Sequence, residues 1–349
     1  MPELRVAIVG YGLAGRIFHA PLIAATDGLE VSQIVTSNAA RARQAAAEHP
    51  DARVVPSAED IWAPMPPELV VVATANDSHV PIASAAIEYA VPVVVEKPIA
   101  VTAAEAEALV ERADRAGVLL TVFQNRRWDT DQLTLRRLIE EGALGEVTRY
   151  ESRFERWRPS IDPSKPRENL PPEEGGGVLL DLGVHLVDQA LALFGSVTDV
   201  YAEIDSRRGA PAEDDVFVAL RHANGTVSHL YASAVTPSLG PRLRVQGTTG
   251  GFLVPHLDPQ EAALRAGARP GTVDHWGRPE ESDYGRLIAG ERSVPVAPEP
   301  GDWRRFYTLL RDALRDGGPA PVDPRDAVET LRVLEAARRA AHEHRIVVP

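Results

Sequence analysis

Two titratable residues, Asp181 and His185, stand four positions apart just after three consecutive glycines at positions 175–177. If this segment is helical, positions i and i+4 lie on one face, so a carboxylate and an imidazole point the same way. Glycine also lets a ligand approach the backbone closely. Such an acid–base pair could move the proton of a substrate hydroxyl during hydride transfer. The same spacing is also typical of an exposed ion pair or a core contact. The spacing alone therefore does not distinguish these possibilities from a catalytic pair, and other parts of the sequence are needed.

A possible nucleotide-binding turn lies near the N-terminus. An apolar run at positions 5–9 is followed by six residues with glycine at the first, third and sixth places, Gly10-Tyr11-Gly12-Leu13-Ala14-Gly15. A helical pattern then continues to Ala25. Strand, G-x-G-x-x-G and helix is the order of the dinucleotide fingerprint, in which the glycines allow a tight turn and the pyrophosphate lies at the positive helix end. We therefore predict that these six residues bind a nucleotide.

The end of the second expected strand, at positions 30–35, bears on which nucleotide is bound. An enzyme that uses NAD usually has Asp or Glu there, to bond the ribose hydroxyls. This chain has Thr36 and Ser37 instead, with Arg41 and Arg43 on the following helix. Hydroxyls and a guanidinium would accept a 2′-phosphate, which a carboxylate would repel. We predict that NADP(H) is preferred and that NAD(H) is possible, although both arginines could belong to a solvated helix face.

Strands and helices alternate through the first third of the chain. Unbroken apolar runs at 69–74 and 91–95 are typical of parallel strands buried on both faces, and a helix is expected between them at 80–89. A capping box formed by Thr102 and Glu105 opens a helix that should stop at Gly117, before a strand at 118–123. This pattern predicts an α/β Rossmann domain with a doubly wound parallel sheet of six strands, over residues 1–122.

Beyond residue 122 the expected strands become longer and amphipathic, at 147–157, 197–204, 216–222 and 226–235, with a tight turn at Asn224-Gly225. We predict an α+β domain over residues 123–349, with a large, mostly antiparallel open sheet. Residues 255–301 are rich in Pro, Gly and acidic groups, and we expect a long surface excursion there. A final helix at about 324–343, opened by Asp323-Pro324, should pack back towards the first domain.

Polar residues at two strand ends complete the candidate site, because ligands of doubly wound sheets bind at the carboxyl ends of the strands. Thr74, Asn76 and His79 follow one expected strand, and Glu96 and Lys97 follow the next. An ammonium held there could donate to the reacting oxygen, although Lys97 could also be a surface residue in a loop.

Composition excludes several classes of protein. The 349 residues carry a net charge of −13, which argues against nucleic acid or an anionic membrane as a partner. Cysteine is absent, so disulfides and thiolate catalysis are excluded, and the cytoplasm is the expected compartment. No apolar run approaches the roughly 18 residues of a spanning helix. The start leads straight into a strand, so we expect no signal peptide.

The chain resembles the glucose–fructose oxidoreductase/inositol dehydrogenase (Gfo/Idh/MocA) family across almost its full length. The resemblance is carried by the glycine turn with His19, the 73–79 stretch, Glu96-Lys97-Pro98 and the 175–188 segment. The segments at 123–129, 154–159, 181–191 and 258–262 are similar to the NADP-dependent scyllo-inositol dehydrogenase branch. The family often has Pro where this chain has Ala75, a departure that should not affect the chemistry.

The resemblance implies roles for three residues and a mode of assembly. Lys97 would assist at the substrate hydroxyl, His185 would be the general acid/base, and Asp181 would orient or support it. Hydride would pass between the nicotinamide and a ring carbon, without a metal. The open sheet would form a homodimer or homotetramer.

We therefore predict an NADP(H)-dependent oxidoreductase acting on a cyclic polyol, with an inositol (scyllo-inositol/inosose) as the first candidate. The alternatives are a dehydrogenase or reductase of another sugar, a catalytically silent nucleotide-sensing regulator, and a metal enzyme using Asp181, His185 and Asp188. The predicted cofactor-binding residues are Gly10, Tyr11, Gly12, Leu13, Ala14, Gly15, Thr36, Ser37, Arg41, Thr74, Asn76, His79, Glu96 and Lys97. The predicted substrate-binding residues are Asn125, Arg127, Trp157, Asp181 and His185. Arg127 and Trp157 could equally be a structural ion pair and a core aromatic.

Overall fold

The fold contains two β-sheets, and the computed structural model describes residues 2–349 apart from the side chain of Pro166. The strands of the first sheet are β1 (Leu4–Val9), β2 (Leu29–Val35), β3 (Arg53–Val55), β4 (Leu69–Val72), β5 (Val93–Val95) and β6 (Leu120–Val122). They are parallel and lie in the order β3-β2-β1-β4-β5-β6. The chain leaves β1 on one side for β2 and β3 and returns on the other for β4, so a crevice opens at the carboxyl end of β1. The predicted doubly wound sheet is confirmed.

Four helices connect these strands: α1 (Ala20–Ala24), α2 (Ala39–Glu48), α3 (His79–Glu88) and α4 (Ala103–Ala116). The predicted capping box of α4 is present, since the Thr102 hydroxyl accepts from the Glu105 N–H and the Glu105 carboxylate accepts from the Thr102 N–H. Gly117 ends α4 in the left-handed conformation, as its position predicted.

The second sheet has eight strands: β7 (Val147–Glu155), β8 (Val197–Asp205), β9 (Asp215–His222), β10 (Val227–Ser233), β11 (Leu243–Gly247), β12 (Gly251–Val254), β13 (Arg286–Ala289) and β14 (Arg292–Pro295). Their order is β14-β13-β12-β11-β7-β10-β9-β8, and only the β7–β10 pair is parallel. Tyr150, Ser152 and Phe154 alternate along β7 and are buried on the face that packs against the helices. The predicted mostly antiparallel sheet is confirmed.

Six further helices accompany this sheet: α5 (Thr130–Glu140), α6 (Pro166–Asn169), α7 (Val184–Phe194), α8 (Gln260–Arg265), α9 (Arg304–Asp316) and α10 (Pro324–Glu343). Asp323 caps α10 by accepting from the Arg325 N–H, and Pro324 occupies its first turn.

Most of the 255–301 segment lies at the surface, as expected, but it has more regular structure than its composition indicated. This segment contains α8 and the β13–β14 hairpin, which extends the sheet beyond β12. Asp258 and Gln260 are buried within it, and the Asp258 carboxylate accepts from the Thr130 N–H at the start of α5 at 2.7 Å. Pro and Gly flank these short elements, so the sequence pattern did not identify them as a helix and strands.

The last two helices pack on the N-terminal part of the chain. Phe306, Tyr307 and Leu310 of α9 are fully buried in the core cluster that also contains Ile8 and Ile34 of the parallel sheet. The Glu335 carboxylate of α10 accepts from the Ala103 N–H at the start of α4, at 2.8 Å. The domain boundary at residue 122 stays a prediction, but each of the two apolar core clusters contains residues from both sides of it. No helix in residues 2–349 is long and apolar enough to cross a membrane.

Candidate active site

The glycine turn after β1 is built by close backbone contacts at one end and is open in its middle. Gly10 has a φ of +101°, and a Cβ added there would lie 2.4 Å from the Ala73 carbonyl oxygen. An added Cβ at Gly12 would meet only the Arg41 guanidinium, 3.9 Å away. The chain continues into a π-helical turn, Ala14–His19, and then into α1. The turn therefore leaves backbone at Gly12 that a phosphate could approach, with a cation beside it.

The end of β2 presents hydroxyls next to that cation. Ser37 and Arg41 are both exposed, and Arg41 lies at the start of α2. The Asn38 side chain caps this helix by accepting from the N–H groups of Ala40 and Arg41. Thr36 is half-buried, and its hydroxyl accepts from the Asn38 N–H. The end of β2 therefore carries two hydroxyl groups and a guanidinium at positions 36–41, and no Asp or Glu.

Of the other predicted nucleotide contacts, Tyr11 is turned inward. Its side chain is buried, and its hydroxyl donates to the Glu48 carboxylate at 2.7 Å. Only the backbone of Tyr11 is available to a ligand on the open side of the turn. Leu13 is exposed, and Ala14 and Gly15 begin the π-helical turn.

Residues in the loop after β4 form hydrogen bonds that hold the neighbouring loops of the site. The Asn76 amide donates to the Gly175 carbonyl oxygen at 3.1 Å, which joins this loop to the glycine run before Asp181. His79 is buried, and its Nδ1 donates to the Pro98 carbonyl oxygen at 2.8 Å. Burial lowers the pKa of His79. Thr74 is half-buried at the carboxyl end of β4. His79 therefore holds the turn after Lys97 and does not face the crevice.

A buried chain of hydrogen bonds reaches Lys97 from α9. The Tyr307 hydroxyl lies 2.5 Å from His19 Nδ1, and His19 Nε2 lies 2.9 Å from Glu96 Oε1. Glu96 Oε2 in turn accepts from the Lys97 N–H at 3.0 Å. Burial opposes ionisation of Glu96, but the hydrogen bond to His19 and the charge of Lys97 lower its pKa. We call this chain the Tyr307–His19–Glu96 relay. It connects the nucleotide turn, the end of β5 and α9.

Lys97 and Asp181 form the centre of the site. Lys97 Nζ donates to the Asp181 backbone oxygen at 2.7 Å and lies 3.3 Å from Asp181 Oδ1. Arg167 reaches the same Oδ1 at 2.5 Å from the solvent side. Burial lowers the pKa of Lys97, while Asp181 opposes that effect. Burial raises the pKa of Asp181, but Lys97, Arg167 and Arg156 hold it well below its ordinary value. The Asp181 carboxylate is therefore ionised near neutral pH, and its charge offsets part of the effect of burial on Lys97.

His185 begins α7, directly after the π-helical turn Leu179–Gly183 that carries Asp181. Only 6% of its surface is exposed, and its Nδ1 has no hydrogen-bond partner within residues 2–349. Burial is the main cause that lowers the pKa of His185 well below its ordinary value, and the nearby charges of Lys97, Arg126 and others add to it. The imidazole is therefore neutral near pH 7 and can accept a proton.

The relation between Asp181 and His185 differs from the expected one, in which Asp181 would orient or support the imidazole. Within residues 2–349 no hydrogen bond joins the two side chains, because the Asp181 carboxylate is directed at Lys97 and Arg167. The Phe154 ring contacts the imidazole instead, edge to face with centroids 6.1 Å apart. Asp181 therefore contacts Lys97, whose charge is among those that lower the pKa of His185.

The three other predicted substrate contacts are not brought together. Asn125 is buried in a 3-10 turn after β6. Arg127 forms a bidentate ion pair with Asp188, at 2.6 and 2.9 Å, and also pairs with Asp326. Trp157 is 56% exposed just beyond the end of β7. The roles of these three residues in substrate binding stay predictions. For Arg127, the contacts favour the alternative of a structural ion pair.

The ion pair of Asp188 also bears on the metal alternative. Both oxygens of its carboxylate accept from Arg127, so this carboxylate is directed away from Asp181 and His185. In the described part of the chain no three His, Cys, Asp or Glu side chains converge as a metal site would require.

Sequence reasoning missed four residues of the site: Arg156, Arg167, His19 as a relay residue, and Tyr307. Arg156 is half-buried, and its charge is among those that lower the pKa of Asp181 and of His185. The one sequence signal for a role of Arg156 was its position two residues after Phe154. Tyr307 lies 288 positions from His19, and nothing local to either residue indicates that contact.

Comparison with known proteins agrees with this geometry. Residues 4–124 match the oxidoreductase family with an NAD-binding Rossmann fold, and residues 132–253 match the GFO/IDH/MocA C-terminal domain. The chain is 35% identical to the NADP(+) scyllo-inositol 2-dehydrogenase IolW of Bacillus subtilis, over 99% of this chain and 96% of that protein. It is 29% identical to a D-apiose dehydrogenase of Paraburkholderia graminis, over 98% and 88% of the two chains.

A solved structure supports the same relationship. YvaA from Bacillus subtilis superimposes with a TM-score of 0.91 and 34% identity, covering 99% of this chain and 98% of that one. The matches span both sheets and include the turns that carry the Gly10 loop, Lys97 and His185. The chain belongs to the Gfo/Idh/MocA family of oxidoreductases.

Proposed function

We propose that the protein is an NADP(H)-dependent dehydrogenase that transfers hydride between the nicotinamide and a ring carbon of a cyclic polyol, with an inositol as substrate. The observation that carries the proposal is the Lys97–Asp181 pair beside the neutral, unpartnered imidazole of His185. A fixed ammonium and a free base at the carboxyl edge of a nucleotide-binding sheet suit the oxidation of a secondary alcohol. A relative with similarity over the full length is named as an NADP(+) scyllo-inositol dehydrogenase, which supports the choice of inositol.

The protein residues would divide the proton chemistry between them. In oxidation, neutral His185 takes the proton of the substrate hydroxyl, and Lys97 Nζ donates to the oxygen as negative charge develops there. Asp181 holds the ammonium in place and keeps it charged despite its burial. The bound cofactor supplies the hydride acceptor. In reduction, protonated His185 returns the proton to the same oxygen.

The choice of NADP(H) rests on the open turn and on the end of β2. Gly12 leaves room for the phosphates, and the Arg41 guanidinium lies beside it. Ser37 is exposed next to that cation and can donate to a 2′-phosphate.

One alternative substrate keeps support from the comparisons. D-apiose dehydrogenases are relatives over most of this chain, so another sugar could be the substrate of the same three residues. A silent nucleotide sensor would have no need for a buried base without a partner, so the state of His185 favours turnover.

We also propose that the second sheet forms a homodimer or homotetramer. The face of this sheet away from the helices carries an aromatic patch of Tyr201, Phe217, His229 and Tyr231, with ring centroids 5.0–6.4 Å apart. The Arg153 guanidinium lies 4.3 Å from the centre of the Tyr231 ring. Aromatic and arginine side chains are enriched at protein interfaces.

Replacing His185 with Ala should lower turnover by about 10²–10⁴, the usual contribution of a positioned acid/base, with little change in NADP(H) affinity. The assay uses inositol isomers, inosose and hexoses with both cofactors. His222→Ala is the matched control, since it removes a buried imidazole bonded to Gly195 and Ser228 in the second sheet. Near wild-type turnover by His185→Ala would make His185 structural. Loss of wild-type activity with a chelator would instead favour the metal alternative.

The NADP(H) preference should weaken in Ser37→Asp, because a carboxylate would repel the 2′-phosphate and could bond a free ribose hydroxyl. We expect the ratio of kcat/KM with NADP(H) to that with NAD(H) to fall by at least about ten-fold, roughly the effect of one charged contact. Ser282→Asp, at an exposed position far along the chain, is the control. Equal or better turnover of the wild type with NAD(H) would contradict the preference.

The Tyr307–His19–Glu96 relay should act as a positioning device for Lys97. Tyr307→Phe leaves His19 Nδ1 without its partner, so we expect kcat to fall several-fold and its pH profile to shift, while the KM for NADP(H) stays constant. Tyr150→Phe is the control, because it also removes a buried hydroxyl, one bonded to Gln132 at 3.3 Å. If Tyr307→Phe loses stability but keeps the wild-type kcat and pH profile, the relay is merely structural.

A patch that mediates assembly should not tolerate charge at its centre. We expect the wild type to sediment as a dimer or tetramer, with an interface of more than about 1,000 Å² in total. Phe217→Glu should shift it towards the 37.7 kDa monomer. Met65→Glu, at an exposed apolar residue outside the patch, should not. A strictly monomeric wild type at micromolar concentration would disprove the proposed assembly.

A further inference from the structure

Arg156 differs from the other arginines that the fold covers. In residues 2–349, every other arginine that is buried or half-buried has a carboxylate or a backbone carbonyl oxygen within reach, and Arg156 has neither. Examples of paired arginines near the site are Arg126 with Glu261, Arg127 with Asp188 and Arg242 with Asp131. A half-buried cation that has no protein partner keeps its N–H donors available for a ligand, and charged groups of this kind are common at functional sites.

The backbone fixes the direction in which Arg156 points. Its N–H donates to the Ser233 carbonyl oxygen at 2.9 Å, and its own carbonyl accepts from the Thr236 N–H at 3.0 Å, so the extended course of β7 continues past Glu155. Alternate residues of an extended strand share a face. Arg156 therefore lies on the face of Phe154, whose ring contacts His185. Trp157 lies on the opposite face, which explains its exposure.

The charges around Arg156 leave it available to a ligand. Burial lowers the pKa of Arg156, Asp181 and Glu261 raise it, and Arg158 and Arg126 lower it. Both neighbouring carboxylates are already engaged, Asp181 by Lys97 and Arg167, and Glu261 by Arg126 and Arg265. Asp181 thus contacts two cations, Lys97 and Arg167, and His185 is neutral. The positive charges of Lys97, Arg167 and Arg156 therefore outnumber the negative charge of Asp181 in this part of the proposed substrate site.

We propose that Arg156 is a substrate-binding residue whose guanidinium donates to two adjacent oxygens of the substrate, and that it sets the specificity of the site. This inference rests on the proposed function and adds a feature of the substrate. The planar fork of a guanidinium matches a pair of neighbouring oxygens, which a single ammonium cannot do. The pair is either a vicinal diol of a neutral polyol or the carboxylate of a sugar acid. Together with Lys97 and His185, it would hold the ring at two separate edges, so only one carbon would face the cofactor.

The test compares Arg156→Lys with the wild type on three compounds. Arg156→Lys keeps the charge and removes the fork, and Arg149→Lys, at an exposed position of the same strand, is the matched control. The compounds are an inositol, the deoxy-inositol that lacks a hydroxyl next to the reacting carbon, and a hexuronate. We expect Arg156→Lys to lower kcat/KM about ten-fold or more for a compound with the recognised oxygen pair, mainly through KM. The KM for NADP(H) should stay within about two-fold.

The outcomes separate the two sources of the oxygen pair. A loss confined to inositol, with the deoxy-inositol unaffected, identifies the diol, and a loss confined to the hexuronate identifies the carboxylate. An equal loss for all three compounds, no loss, or a loss in the KM for NADP(H) overturns the inference. Arg156→Gln is examined beside Arg156→Lys, and if both variants lose their folded circular dichroism spectrum, Arg156 serves folding and the inference is likewise overturned.

Failure of the proposed function can be told apart from failure of this inference. If the wild type turns over no polyol or sugar, the proposed function fails. The inference is then decided by calorimetric titration of the same three compounds into the protein saturated with NADP(H). Binding to the wild type about ten-fold tighter than to Arg156→Lys supports it, and equal binding, or no binding of any of the three, overturns it.

Discussion

The site depends on the contact between the Lys97 ammonium and Asp181. The two residues are 84 positions apart, one at the end of a central parallel strand and the other in a π-helical turn beside the second sheet. Burial opposes the charge on each group, and each one favours the charged form of the other. Removing Asp181 would leave the Lys97 ammonium without its carboxylate partner, at a cost of about 3–5 kcal/mol, whereas Asp181 without Lys97 would still be paired with Arg167. The same ammonium helps to keep His185 neutral, so the geometry of the site and its acid–base state follow from one constraint.

Features specified by local chemistry were predictable from the sequence. The capping box at Thr102, the glycine that ends α4 and the Asp323-Pro324 start of α10 each act within one helical turn, and each is present. The strands β1, β4, β5 and β6 were predictable because burial on both faces requires continuous apolar runs, whereas the edge strand β3 (Arg53–Val55) has no such run and was not identified. The β11–β14 strands were not, since they are only four or five residues long and depend on neighbours across the sheet.

Within the site, the sequence indicated which residues could do chemistry but not which of them meet. Asp181 and His185 were singled out as a pair by their spacing, yet Asp181 bonds to Lys97 and not to His185. Trp157 and Arg156 differ by one position, and alternation along a strand places neighbours on opposite faces. Which face meets His185 depends on how β7 sits in the sheet, and local pattern contains no such information. The identity of the substrate is still harder to predict from the sequence, because one fold supports many chemistries and only side chains such as Arg156 select among them.

The position of α9 has a consequence for biosynthesis. Phe306, Tyr307 and Leu310 complete the core on one face of the parallel sheet, and the Val322 carbonyl oxygen accepts from the Thr121 hydroxyl of β6. A ribosome makes the strands of that sheet first and the residues that cover this face almost 200 positions after β6. During this interval the nascent chain has an uncovered apolar surface, the kind of exposure that promotes aggregation. Complete packing of the nucleotide-binding part of the chain therefore requires residues that are synthesised late.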